Sequence, residues 1–170
     1  MENDSLQRHY LLPGGVFAHP EPYEVTTVLG SCVAVCLWDS DRRLGGINHY
    51  LLALWNGEGL PTPRFGNIAI HKLAEKVERA GAKRWRLKAK IFGGSSILQT
   101  QSGLLNVGER NIQVAVDLLE EMEIPIVARH VGGPQGRRII FNTHTGEVWM
   151  RILPNISAAA RERVGAAVGR

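Results

Sequence analysis

The sequence predicts a mixed α+β (α/β) fold, a single domain of largely antiparallel mixed β-sheets flanked by helices, and three observations carry that reading. The stretches YEVTTVL (23–29) and CVAVCLW (32–38) are rich in β-branched and apolar residues, have strand length, and are bounded by turn residues. Residues 65–80 and 111–122 instead repeat apolar side chains at helical spacing. Beyond the second helical pattern, strand-like runs are punctuated by Gly132-Gly133-Pro134-Gln135-Gly136 and by Thr145-Gly146.

Taken in order, 23–29 is a strand and Gly30-Ser31 a turn or bulge. Strand 32–38 leads through the polar turn Asp39-Ser40-Asp41-Arg42 into a third strand at 44–54, which makes a β-hairpin. A looser Gly- and Pro-containing segment covers 55–63. The first helix carries Ile70, Leu73, Val77 and Ala80 on one face, with Gly81 where a helix-ending glycine belongs. Residues 84–92 read as a strand that ends in the flexible loop Phe92-Gly93-Gly94-Ser95-Ser96. The second helix groups Ile112, Ala115, Leu118 and Leu119. Strands follow at 124–131, 138–142 and 147–153, and Ser157 is a candidate cap for a short terminal helix that Gly165 weakens.

The 170 residues suit one domain, 1–170, with no linker or internal repeat to divide it. Hydrophobic and charged contents of 44% and 21% are those of a globular protein. Without an apolar run long enough to span a bilayer, and without a basic-then-apolar leader, the expected location is the cytoplasm, with no membrane insertion. The net charge of +4 raises nucleic acid as a partner. The basic residues are scattered, however, apart from 83–88 and 136–138. The first of these alternates basic with apolar residues, as a half-exposed strand does, and no nucleic-acid motif is present. An acidic protein partner is favoured over nucleic acid.

Cys32 and Cys36, the two cysteines, fall on one strand. Their Cα atoms would stand about 13 Å apart at the usual strand rise, out of reach of a disulfide, so both are expected as thiols. If the hairpin turn is centred between Ser40 and Asp41, Cys32 lies directly across from His49, on the same sheet face. An imidazole beside a thiol lowers its pKa and accepts its proton, which is what a cysteine nucleophile needs. A bulge at Gly45-Gly46 would slip that register. Gly30 and Ser31 precede the thiol and expose backbone N–H groups suited to an oxyanion, and Gly93-Gly94 is a candidate supporting loop. Cys36 reads as core. A thiol–imidazole pair usually has a third group that orients the ring, and Thr26 and Thr27 are the hydroxyl candidates. Their side chains point to opposite faces, and the residues alone leave the choice open. Two cysteines and one histidine lack the spacing of a zinc site, so neither metal nor cofactor is expected.

The runs LLPGG, VTTVLGSCVAVCLWD and GGINHYLL, then RFGNIAI, AKIFGGSSIL, NVGERNI and GRRIIFNTHTGEV, resemble the chemoreceptor glutamine deamidase (CheD) family of bacterial chemotaxis over residues 11–152. The flanks 1–10 and 157–170 are peripheral to the resemblance. It implies a fold like that of CheD and the cytotoxic-necrotizing-factor cysteine hydrolases. It also implies hydrolysis of glutamine side chains on methyl-accepting chemotaxis receptor cytoplasmic domains, with release of ammonia. The family places a threonine six residues before its cysteine and a histidine seventeen after it, which implies a triad of Thr26, Cys32 and His49. In related proteins a CheC-type phosphatase binds and inhibits the deamidase, which implies a second partner. Two other readings use the same residues: a non-enzymatic chemotaxis adaptor and a receptor glutamate methylesterase.

Overall fold

A computed structural model describes residues 6–96 and 106–154. Along the chain run β1 (Gln7–Tyr10), β2 (Val16–Ala18), β3 (Tyr23–Leu29), β4 (Val33–Asp39), β5 (Leu44–Asn48), α1 (Gly66–Ala80), a 3₁₀ turn (Arg84–Arg86), β6 (Lys88–Gly93), α2 (Val107–Glu121), β7 (Ile126–Val131), β8 (Arg137–Asn142) and β9 (Val148–Ile152). They form a single α+β domain with two mixed sheets. One sheet has the order β1-β3-β8-β9 and the other β2-β5-β4-β6-β7.

Two cores explain why these segments take these forms. Between the sheets, Val25 and Leu29 of β3 and Ile139 and Phe141 of β8 meet Ala34 and Cys36 of β4, Ile47 and Phe92. On the other side of the second sheet, Val33, Val35 and Leu37 pack against Ile70, Leu73 and Val77 of α1 and against Val114, Ala115 and Leu119 of α2. The central strand β4 is therefore covered on both faces, which accounts for an unbroken apolar run where a half-exposed strand would alternate. α1 buries a stripe at helical period and ends at Gly81, whose φ of 125° is open only to glycine.

Several expectations are corrected. The hairpin pairs Asp39 with Leu44 and Cys36 with Ile47. Its loop is thus the four residues 40–43, not a two-residue turn. The Asp39 carboxylate is the cause: its Oδ1 accepts the N–H groups of Asp41 and Arg42, its Oδ2 that of Lys83, and Arg43 takes a φ of 51°. Gly45-Gly46 holds no bulge. A Cβ on Gly46 would lie 2.7 Å from both the Phe17 carbonyl and Val77, so glycine here admits β2 and α1. The third strand ends at Asn48, well short of residue 54. Residues 84–86 (Arg-Trp-Arg) form a 3₁₀ turn in place of a strand start, α2 begins four residues earlier than expected, and β1 and β2 had no strand signal. The terminal helix expected from Ser157 lies outside the described residues.

Candidate functional site

His49 lies just past the end of β5, where the ladder no longer holds the backbone, and the LLPGG segment takes over. Gly14 donates its N–H to the His49 carbonyl at 2.7 Å, and the His49 N–H donates to the Gly15 carbonyl at 3.1 Å. Gly14 has a φ of 84°, and a Cβ on Gly15 would lie 2.6 Å from the Leu11 side chain and 2.9 Å from the Leu12 carbonyl. Two glycines are thus what allow this turn to close on the histidine. Leu11 anchors the segment to β3 through its N–H, 2.9 Å from the Thr26 carbonyl oxygen.

The hydroxyl that reaches the imidazole belongs to Thr27, 2.7 Å from His49 Nδ1, and this corrects the choice of Thr26. The reason is the period of two along β3. Val25, Thr27 and Leu29 point into the inter-sheet core and are buried, whereas Thr26 lies on the opposite face with Glu24 and exposed Val28. Thr27 also fixes the tautomer. Its one hydroxyl hydrogen is donated to the Leu11 carbonyl at 2.8 Å, and a carbonyl can only accept. Oγ1 must then accept from Nδ1–H, which leaves Nε2 as the lone-pair nitrogen.

Cys32 precedes the first residue of β4 and borders the same inter-sheet core. It does not stand opposite His49. The bridge between Val33 and Tyr50 continues the hairpin register and sets His49 across from Ala34, one diagonal step from Cys32. Because the shift is by two residues, both side chains keep the expected face, as a diagonal pair whose positions are on the order of 7–8 Å apart and whose Cβ atoms are somewhat closer. His49 Nε2 is buried and makes no hydrogen bond among the described residues, so the thiol–imidazole contact is not closed in the resting geometry.

Burial sets the charge state of both groups. Desolvation raises the Cys32 thiol above its ordinary 9.0, only partly offset by its own backbone N–H, and depresses His49 to about 4. The resting pair is a neutral thiol and a neutral imidazole, in place of the lowered thiol pKa expected from the sequence. Cys36, in contrast, is fully enclosed in the core, and both cysteines are free thiols.

The flanking loop is built around the segment that carries Cys32. Gly94 donates to the Cys32 carbonyl at 2.8 Å and Ser95 to the Gly30 carbonyl at 2.9 Å. Gly93 has a φ of 106°, and a Cβ there would lie 2.2 Å from the Cys32 carbonyl oxygen. Gly93 and Gly94 are therefore brought beside the thiol, and the Gly94 N–H is already spent on the chain. Among the described residues the N–H groups of Ser31 and Cys32 donate to no backbone carbonyl, which keeps them as candidate oxyanion donors. Ser31 and Cys32 line a cleft of about 640 Å³ together with Leu51, Leu60, Phe65 and Val107, with Glu58 and Arg64 also on its wall. The thiol is thus reachable from outside, while the imidazole lies behind it at 2% exposure.

The Leu11 carbonyl and the LLPGG clamp escaped reasoning from the residues alone, which named Thr27 as a candidate but left it level with Thr26. A signal for Thr27 was present: Glu24 shares the even-numbered face of β3, and a charged residue marks the solvent side.

Comparisons with known proteins give the family. The family model described as CheD chemotactic sensory transduction matches residues 55–152. A protein of Trichlorobacter lovleyi named probable chemoreceptor glutamine deamidase CheD is 50% identical over 147 residues, covering 86% of this chain and 91% of its own. One of Sulfurimonas denitrificans with the same name is 46% identical, covering 85% and 94%, and one of Vibrio cholerae is 34% identical, covering 92% and 71%. The family model begins after His49, but alignments of this length cannot miss the stretch from Thr27 to His49. The chain belongs to the CheD family.

Proposed function

We propose that this protein is a chemoreceptor glutamine deamidase in which Cys32 is the nucleophile and His49 the general base and acid. The observation that carries the reading is the chain His49 Nδ1–H to Thr27 to the Leu11 carbonyl, which leaves Nε2 as a lone pair, unpartnered among the described residues, in the compartment that Cys32 borders. Nε2 takes the thiol proton as Sγ attacks the glutamine Cδ, with the oxyanion held by the N–H groups of Ser31 and Cys32. Since the resting thiol is neutral, proton transfer accompanies attack, after rotation of the Cys32 side chain toward the ring. The imidazolium then gives its proton to the departing amide nitrogen, and the C–N bond breaks to release ammonia. Water, deprotonated at Nε2, cleaves the thioester to glutamate and restores the thiol.

Thr27 holds the ring in the required tautomer. A hydroxyl gives the imidazolium less support than a carboxylate, so turnover is slow. The substrate is the cytoplasmic helical region of a methyl-accepting chemotaxis receptor, which puts the protein at work in the cytoplasm. No helix among the described residues is long and apolar enough to cross a membrane. A CheC-type phosphatase is the regulatory partner that family membership suggests.

Incubation with a receptor cytoplasmic fragment tests the reaction. The expected result is ammonia release with a gain of about one dalton at specific glutamines, the mass difference between an amide and an acid, and no methanol from esterified fragments. Methanol without ammonia, or neither product, rejects the assignment.

A further inference from the structure

Beyond Cys36 and Ile47 the hairpin loses its regular pairing, and among the described residues the Val33–Tyr50 bridge and the bond from the Val35 N–H to Asn48 Oδ1 at 2.8 Å join the two strands there. Past Val33 and Tyr50, where Cys32 and Leu51 lie, no ladder bond ties the two segments among the described residues. From the helix side of the sheet, Asn111 of α2 enters this gap. Its Nδ2 donates to the Ser31 carbonyl at 2.9 Å and to the Leu51 carbonyl at 2.9 Å, so both of its hydrogens are spent, one on each segment. Ser31 immediately precedes Cys32, and Leu51 follows His49 by two residues. Asn111 is fully buried, and its own carbonyl accepts from the Tyr50 hydroxyl.

The helix that presents it is fixed by close contact. A Cβ on Gly108 would lie 2.5 Å from the Gly94 carbonyl oxygen and 2.6 Å from that of Ser95, the loop that also bonds Cys32 and Gly30. Asn111 Oδ1 is buried without a partner among the described residues, a poor choice for a residue whose only task is packing.

We propose that Asn111 is a positioning residue of this site, whose carboxamide sets the separation between the segment bearing Cys32 and the segment bearing His49. The proposal rests on the deamidase reading. Asn111 touches no reacting atom; it acts through the backbone on either side of the pair, where an error of about 1 Å costs on the order of 10²-fold in rate.

The test uses the full chain and a glutamine-bearing receptor cytoplasmic fragment. For Asn111→Ala the expected result is a fall in kcat of roughly 10- to 100-fold with KM changed less than about twofold, because the cleft that meets the receptor is intact. Asn111→Asp carries the second signature. A carboxyl buried against two carbonyls keeps its proton more readily than usual, and its O–H then restores one of the two bonds. Its kcat deficit relative to the unsubstituted protein should narrow as pH falls from about 8 to 6, while the deficit of Asn111→Ala stays constant. A kcat within twofold of the unsubstituted protein in folded Asn111→Ala, or a deficit in Asn111→Asp that ignores pH, overturns the proposal. The unsubstituted protein gives a reading that needs no variant to fold: the Asn111 side-chain NH₂ resonances should shift when Cys32 is alkylated with iodoacetamide, and unchanged resonances overturn the proposal. Absence of ammonia release by the unsubstituted protein would instead sink the deamidase reading.

Discussion

Cys32, just before β4, and Cys36, within it, point into the same inter-sheet compartment four residues apart, yet one lines an open cleft and the other is buried in the core. Cys36 is buried between the two sheets, where it only borders a smaller pocket of about 250 Å³ with Trp38, Lys90 and Phe141. The thiol is 1% exposed, and burial pushes its pKa far up, despite the nearby Lys90 ammonium. At Cys32 the hairpin ladder has ended, the backbone turns out through Gly30 and Ser31, and a cleft reaches the sulfur. Desolvation raises both thiols, so a favourable resting charge does not separate them. Access does, together with a base whose lone pair is oriented by Thr27.

The sharpest way to break this comparison is to remove each sulfur in turn. Cys32→Ala should abolish ammonia release from a receptor fragment, whereas Cys36→Ala should retain most of it and lower stability by roughly 1 kcal/mol. An inactive Cys36→Ala that is folded would show that the wrong thiol had been chosen.

The next largest effect concerns the two threonines. Thr27→Val keeps the volume but removes the acceptor for Nδ1–H, and kcat should fall on the order of 10²-fold, with Thr27→Ser restoring most of it. Thr26→Val should stay within about twofold of the unsubstituted protein, since its side chain faces away from the site. Equal losses from both would remove the orienting role.

Alkylation by iodoacetamide sharpens the contrast in access. In the folded protein Cys32 should react and Cys36 should not, and the Cys32 rate should keep rising as pH passes its ordinary 9.0, because the thiol is raised. A rate that levels off near neutral pH would mean a pre-formed thiolate.

The smallest effect is on stability. Unfolded, His49 binds a proton near 6.5; folded, it resists until about 4. The unfolded chain therefore holds more protons between these values, and stability is complete above about pH 6.5 and falls as pH drops toward 4, by roughly 3 kcal/mol. His49→Asn should flatten that part of the curve in denaturant titrations. A decline as steep as in the unsubstituted protein would place its origin elsewhere.

Much of the frame could be read from residues alone. The apolar run of β4, the helical stripe of α1 with Gly81 after it, and the pairing of a thiol with an imidazole on one sheet face all follow from local periodicity. The exact pairing did not. The Asp39 side chain widened the hairpin loop through bonds to Asp41, Arg42 and distant Lys83, the last of which no local rule reveals. The shared face survived because a displacement of two residues preserves the pleat.

Sequence by itself determined which residues share a face within each strand, since alternation along a strand is a property of the covalent chain. It also determined the family, through motifs spread over most of the length. Only the tertiary structure decided that Thr27 bonds the ring, that the Leu11 carbonyl fixes its tautomer, and that the Cys32 thiol and the His49 imidazole both rest neutral. Each of these depends on bringing a second sheet against the hairpin: the hydrogen bonds join residues distant in sequence, and the loss of water that shifts both pKa values exists only once the sheets have packed.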